Sequence, residues 1–131
     1  MRPLAYVRPL DVREAVETIA STPNAKFLGG GTNLVDLIRR DVEHPDTVVD
    51  VTALPLNEVT ELADGTLRVG ALVRNSHLAA HPLVRTRCPM LTQAILAGAS
   101  GQLRNMATMG GNLCRCGAYE GIVAAIEETA R

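Results

Sequence analysis

Three consecutive glycines, Gly29-Gly30-Gly31, stand between the apolar run Ala25–Leu28 and a segment that carries Leu34, Leu37 and Ile38 on one helical face. A chain that passes from strand to helix this abruptly needs backbone free of Cβ atoms, which also lets a ligand approach main-chain N–H groups. Thr32 is placed to cap the helix. The free N–H groups and positive dipole end behind it favour an anion such as a pyrophosphate. The Lys-Ser/Thr of a P-loop is absent, and so is the G-x-G-x-x-G spacing of a dinucleotide-binding turn. Two readings therefore stand on these residues alone: a phosphate cradle, or a plain tight turn.

The glycines sit inside an alternating pattern. Ala5-Tyr6-Val7 reads as a short strand, and Asp11 with Glu14 three positions later forms a capping-box start for a helix. Val12, Ala15, Val16 and Ile19 recur at helical spacing and are expected to form its buried stripe. Pro23-Asn24 ends that helix, and the β-branched run 47–51 reads as a buried strand. The order is β-α-β-α-β, a small lobe spanning 1–55. Beyond Pro55 the segments 58–62 and 66–69 flank Ala63-Asp64-Gly65 and read as a hairpin. Asn75 is expected to cap a short helix through Ala80, and Pro82 suits the first turn of the next. Residues 90–97 read as a buried helix, 98–112 as a long polar binding loop, and 120–130 as an amphipathic helix. The fold class is α+β: a βαβαβ lobe, a truncated second α+β lobe over 56–113, and a C-terminal tail over 114–131 with a helix.

Composition narrows the function classes. Hydrophobic content of 47% with 21% charged residues reads as globular, yet the chain has one Phe, two Tyr and no Trp. A core of small aliphatic side chains gains stability from a ligand or partner. A net charge of −1 argues against nucleic acid, which needs a basic patch. No window has the length of a membrane span or signal peptide, and three cysteines make no disulfide framework. The expected location is the cytoplasm, or the periplasm only if a partner carries the chain there.

A second glycine-bearing loop follows: Arg104-Asn105-Met106-Ala107-Thr108-Met109-Gly110-Gly111-Asn112-Leu113. Its main-chain N–H groups, the Thr108 hydroxyl and the Asn112 amide suit more phosphate or a ribose. Two such loops about eighty residues apart suggest a ligand held between two lobes.

The run 25–34, followed by Asp36-Leu37, resembles the first FAD loop of the molybdenum hydroxylase flavoproteins, the FAD subunits or domains of xanthine dehydrogenases, carbon monoxide dehydrogenases and aldehyde oxidoreductases. The runs 68–75, 97–105 and 107–113 are similar to later segments of that family (PCMH-type FAD-binding), in the same order. The resemblance implies FAD pyrophosphate binding by Lys26, Phe27, Leu28, Gly29, Gly30, Gly31, Thr32, Asn33 and Leu34. It places a second loop at Thr108, Met109, Gly110, Gly111 and Asn112, and a flavin contact at Gly98. It further implies electron transfer from iron–sulfur clusters through flavin to an external acceptor, with a molybdopterin-binding large subunit and a 2Fe–2S small subunit as partners.

After Leu113 the sequence departs from that pattern. Cys114-Arg115-Cys116-Gly117 resembles the last cysteine pair of the family's 2Fe–2S subunit, which implies a fusion of two reading frames. Such a cluster needs four ligands, and Cys114 and Cys116 supply two. Cys88 lies in no ligand motif, so a complete 2Fe–2S cluster in this chain alone is not expected. His77 and His81, at i and i+4, form a candidate metal pair beside the plainer reading of solvent-facing histidines; His44 stands apart. Asp36 and Asp50 read as supporting carboxylates or as solvated ones. The function expected is an FAD-binding electron-transfer component, with the flavin and no side chain carrying redox. The alternative is a non-catalytic remnant that docks on other subunits without flavin.

Overall fold

A computed structural model describes residues 3–113. Strands β1 (Ala5–Val7), β2 (Ala25–Leu28) and β3 (Thr47–Asp50) form a parallel sheet in the order β1-β3-β2. Parallel neighbours need crossovers, which helices α1 (Val12–Ser21) and α2 (Leu34–Arg39) supply. The central strand is buried at all four residues, and Val49 has no exposed surface. Ala5 and Ala25 flank Thr47, Val7 and Phe27 flank Val49, and Leu28 lies opposite Asp50.

The capping box at α1 forms in a shifted version. The Asp11 carboxylate accepts the Glu14 amide at 2.8 Å, while the Glu14 carboxylate accepts the amide of Leu10, one residue before the cap, at 2.6 Å. The expected four-residue stripe narrows to Ala15, which is 3% exposed; Val12 and Val16 are about half exposed and Ile19 is half-buried. The helix touches the sheet along one line, so a single small residue fills the contact. On α2, Leu34, Leu37 and Ile38 are half-buried as a group.

In the second half, β4 (Val59–Glu61) and β5 (Leu67–Val69) pair antiparallel around a turn in which Gly65 has φ +84° and Asp64 accepts the Thr66 amide at 2.9 Å. Five helices follow: α3 (Asn75–Ala80), α4 (Pro82–Arg87), α5 (Pro89–Ala97), α6 (Gly101–Met106) and α7 (Met109–Leu113). Three expectations are corrected here. Asn75 is the first helical residue and is buried, with Arg74 at the cap position. Helix α5 forms but has no fully buried residue. Leu91 and Ile95 pack against the core of this lobe while Met90 and Leu96 face outward, as befits a helix covered on one side only. The segment 98–112 holds α6 and most of α7. Ser100 caps α6 by accepting the Leu103 amide at 3.3 Å, and the polar residues that suggested a loop lie mostly on the helix surface. The helix expected over 120–130 lies outside the described residues.

Two buried clusters hold the architecture. Val73, Leu78 and Val84 form the core of the second lobe. Ala15, Leu54 and Leu72 form a seam between α1 and the start of the second lobe, with Val51 and Leu56 against it.

Asp50 ends the central strand and is 7% exposed. The Tyr6 hydroxyl donates to one carboxylate oxygen, and the Thr52 amide donates to the other at 2.9 Å. Burial pushes the Asp50 carboxyl up, but hydrogen bonds from Tyr6 and Thr52 outweigh it and hold the pKa below the usual 3.8. Its contribution to stability is therefore complete above that value and is lost as pH falls through the lower folded value. Tyr6→Phe, by removing one donor, is expected to move the acid-unfolding midpoint to higher pH in a circular-dichroism titration. An unchanged midpoint would refute this role.

Candidate functional site

In a parallel sheet, ligands bind beyond the carboxyl ends of the strands. The carboxyl end of β2 delivers Gly29, Gly30 and Gly31, the last with φ +74°, a left-handed conformation that side chains rarely adopt. The Gly31 carbonyl accepts the Val35 amide at 3.3 Å, and the Asn33 carbonyl accepts that of Leu37 at 3.0 Å. The expected cap is displaced by one residue: Asn33, not Thr32, occupies the cap position, and its side chain makes no capping bond. Among the described residues, the N–H groups of Gly30, Gly31, Thr32 and Asn33 have no hydrogen-bond acceptor.

The second loop is fixed by backbone pairing. Residues 107–110 run antiparallel to 71–75: the Asn75 amide donates to Ala107 O at 2.9 Å, Met109 to Val73 O at 3.0 Å, and Gly110 to Ala71 O at 2.8 Å. Arg74 and Thr108 form the bridge between them. Thr108 is 6% exposed, and its hydroxyl oxygen accepts the Gly111 amide at 3.3 Å.

The two loops meet. A Cβ placed on Gly30 would lie 1.9 Å from the Met106 carbonyl oxygen. On Gly29 it would lie 3.1 Å from the Thr108 hydroxyl oxygen and 3.7 Å from a Leu72 methyl. At Gly30 only bare backbone fits, and at Gly29 a Cβ would crowd the Thr108 side chain. Open N–H groups on one side and a hydroxyl with glycine backbone on the other make a wall suited to an anion.

Around this junction the structure distributes the sequence-derived residues unevenly. Gly29, Gly30 and Thr108 stand at the contact, with Gly31, Thr32, Asn33, Gly110 and Gly111 beside them in the chain. Lys26, Phe27 and Leu28 lie upstream on β2; the Lys26 ammonium is 3.6 Å from the Glu43 carboxylate, and Phe27 is 46% exposed. Met109 packs on the core of the second lobe, and Asn112 belongs to α7. Gly98 lies at the end of α6 away from Met106, where its carbonyl accepts the Arg104 guanidinium at 3.0 Å. Asp36 pairs with Arg40 at 3.1 Å. His77 is exposed on α3, whereas His81 has left the helix with extended backbone, so the two share no helical face. Among the described residues, no three metal-binding side chains cluster. No helix there is long and apolar enough to cross a membrane. Cys114 and Cys116 lie outside the described residues. Sequence reasoning missed the Met106 carbonyl and Leu72, and no side-chain pattern points to either.

The profile of a family described as the FAD binding domain in molybdopterin dehydrogenase matches residues 2–126. The aldehyde oxidoreductase FAD-binding subunit PaoB of Escherichia coli is 48% identical over 86% of this chain and 36% of its own length. The xanthine dehydrogenase FAD-binding subunit of Escherichia coli O157:H7 is 32% identical over 84% of this chain and 38% of its own. Among solved structures, a carbon monoxide dehydrogenase from Hydrogenophaga pseudoflava superposes with a TM-score of 0.80 at 31% identity, covering 86% of this chain and 40% of that one. The chain thus spans between 36% and 40% of the length of these relatives.

Gly30→Ala forces the loops apart and is expected to cost about 1–3 kcal/mol, as overpacking does. Gly101→Ala, whose Cβ would first meet the Arg104 side chain at 3.8 Å, is expected to leave stability unchanged or slightly raised. Urea midpoints compare the two, and equal midpoints would show that the apposition is not tight.

Proposed function

The chain belongs to the family of FAD-binding domains of molybdopterin dehydrogenases, and from that membership we propose that the cleft between its two glycine-bearing loops holds the diphosphate of FAD. The observation that carries the reading is the close approach of Gly30 to the Met106 carbonyl, which sets the two loops in one wall. The residues fit the group: a diphosphate needs backbone donors without Cβ atoms in the way, which the first loop supplies, while the second adds the Thr108 hydroxyl.

In this reading the N–H groups of Gly30, Gly31, Thr32 and Asn33 hold one side of the diphosphate. The Thr108 hydroxyl faces the other side, with the Cβ-free backbone of Gly110 and Gly111 beside it. Thr108 is kept in place by its own backbone bridge to Arg74, so it needs no rearrangement to meet a ligand. Bound FAD supplies a flavin ring that accepts and passes on electrons. No described side chain is assigned to redox chemistry; the chain's part is to bind and orient.

The relatives are named as subunits, components of larger assemblies. By extension, the proposed setting is a complex with a molybdopterin-binding large subunit and a 2Fe–2S small subunit, within an aldehyde- or xanthine-type oxidoreductase.

Titrating FAD into the purified chain is expected to quench flavin fluorescence and raise thermal stability. At a hundredfold excess over Kd the gain is about 2.7 kcal/mol. ADP, which shares the diphosphate, is expected to compete, and Gly30→Ala to abolish the gain. Colourless protein whose melting temperature ignores added FAD would overturn the proposal in favour of a docking piece without flavin.

A further inference from the structure

Helices α3, α4, α5 and α6 border an open surface cavity of about 400 Å3 whose lining includes Ser76, Arg85, Thr92, Leu96, Arg104 and Asn105. It is separate from the loop cleft. Positions 101, 104 and 105 share one face of α6, and Leu103 and Met106 share the opposite one.

Three features of the lining agree. The Thr92 hydroxyl oxygen is buried without a hydrogen-bond partner among the described residues. Such an atom carries a desolvation cost until a ligand or water meets it. The Arg85 guanidinium makes no ion pair or hydrogen bond among the described residues. Arg104 donates from one nitrogen to the carbonyls of Leu96 (3.4 Å), Gly98 (3.0 Å) and Ala99 (2.7 Å). Those bonds fix the guanidinium in place but bring no carboxylate to its charge. Among the described residues, no Asp or Glu lines the cavity.

Two uncompensated guanidinium groups, hydroxyls from Ser76 and Thr92, the Asn105 amide and an apolar wall at Leu96 make one recognisable combination. We infer that this cavity binds a small organic oxyanion, a carboxylate or a phosphate ester, with its charged head toward Arg85 and Thr92 and its apolar part on Leu96. A guanidinium fork matches the planar or tetrahedral oxygens of either head. The volume suits a metabolite-sized ligand and exceeds what a bare inorganic ion fills.

The test uses the whole chain and three probes of similar shape: phenyl phosphate, benzoate and neutral benzamide. Calorimetric titration is expected to show binding of one or both anions and none of benzamide. Tighter phenyl phosphate assigns a phosphate ester, and tighter benzoate a carboxylate. Arg85→Gln is expected to weaken the preferred anion by about tenfold or more. Thr92→Val keeps the side-chain volume and removes the unpaired hydroxyl. It should fold at least as well as the parent protein while also weakening the anion. Three outcomes overturn the inference: neither anion binds, benzamide binds equally well, or anion binding survives both substitutions. Anion binding lost in Gly30→Ala but kept in Arg85→Gln would also overturn it, because the anion would then sit at the loop contact.

Discussion

The main chain at Gly30 and the carbonyl of Met106 approach so closely that no Cβ can stand between them. This contact adds little attraction by itself; its importance is geometric. It joins a loop at the edge of the parallel sheet to a loop from the helical lobe. Each loop is held independently, one by the end of β2 and the other by three backbone hydrogen bonds to residues 71–75. Two supports held independently and facing each other at this distance fix how the two loops stand to one another.

The seam behind the cleft is apolar and small. Ala15 from α1, Leu54 from the connection after β3 and Leu72 from the second lobe share one cluster, and Leu72 also reaches the Gly29 position. The same side chain thus serves the core and the wall of the site. In a chain with so few aromatic residues, this shared side chain ties the loop contact to the packing that holds the lobes together.

Much of the fold could be read from local pattern. The β-branched run at β3 announced a buried strand, the Asp-Gly turn announced the hairpin, and Pro82 opened a helix where a missing N–H costs nothing. Errors arose where tertiary context decides. Val12 and Val16 look like core residues, but only the width of the α1 contact determines which residues are covered. The helix over Gly101–Met106 was obscured by flanking Gly and Ser, residues that mark loops by composition and caps by position. At the site, both glycine loops were legible as loops. Their meeting was suggested by two glycine-bearing loops in one chain, but the contact itself was not legible, because its key atom is a main-chain carbonyl, common to every residue type.

The strand order has a consequence for how this lobe comes into being. Among the described residues, β1 and β2 do not pair with each other; each pairs with β3 alone, which is the last of the three in the chain and lies between them. Until Thr47–Asp50 is in place, the two earlier segments have no sheet to belong to. A nascent chain ending before residue 47 therefore carries two unmatched edges, and the glycine loop beyond β2 has nothing to brace it. The lobe closes like an arch, with its keystone inserted last.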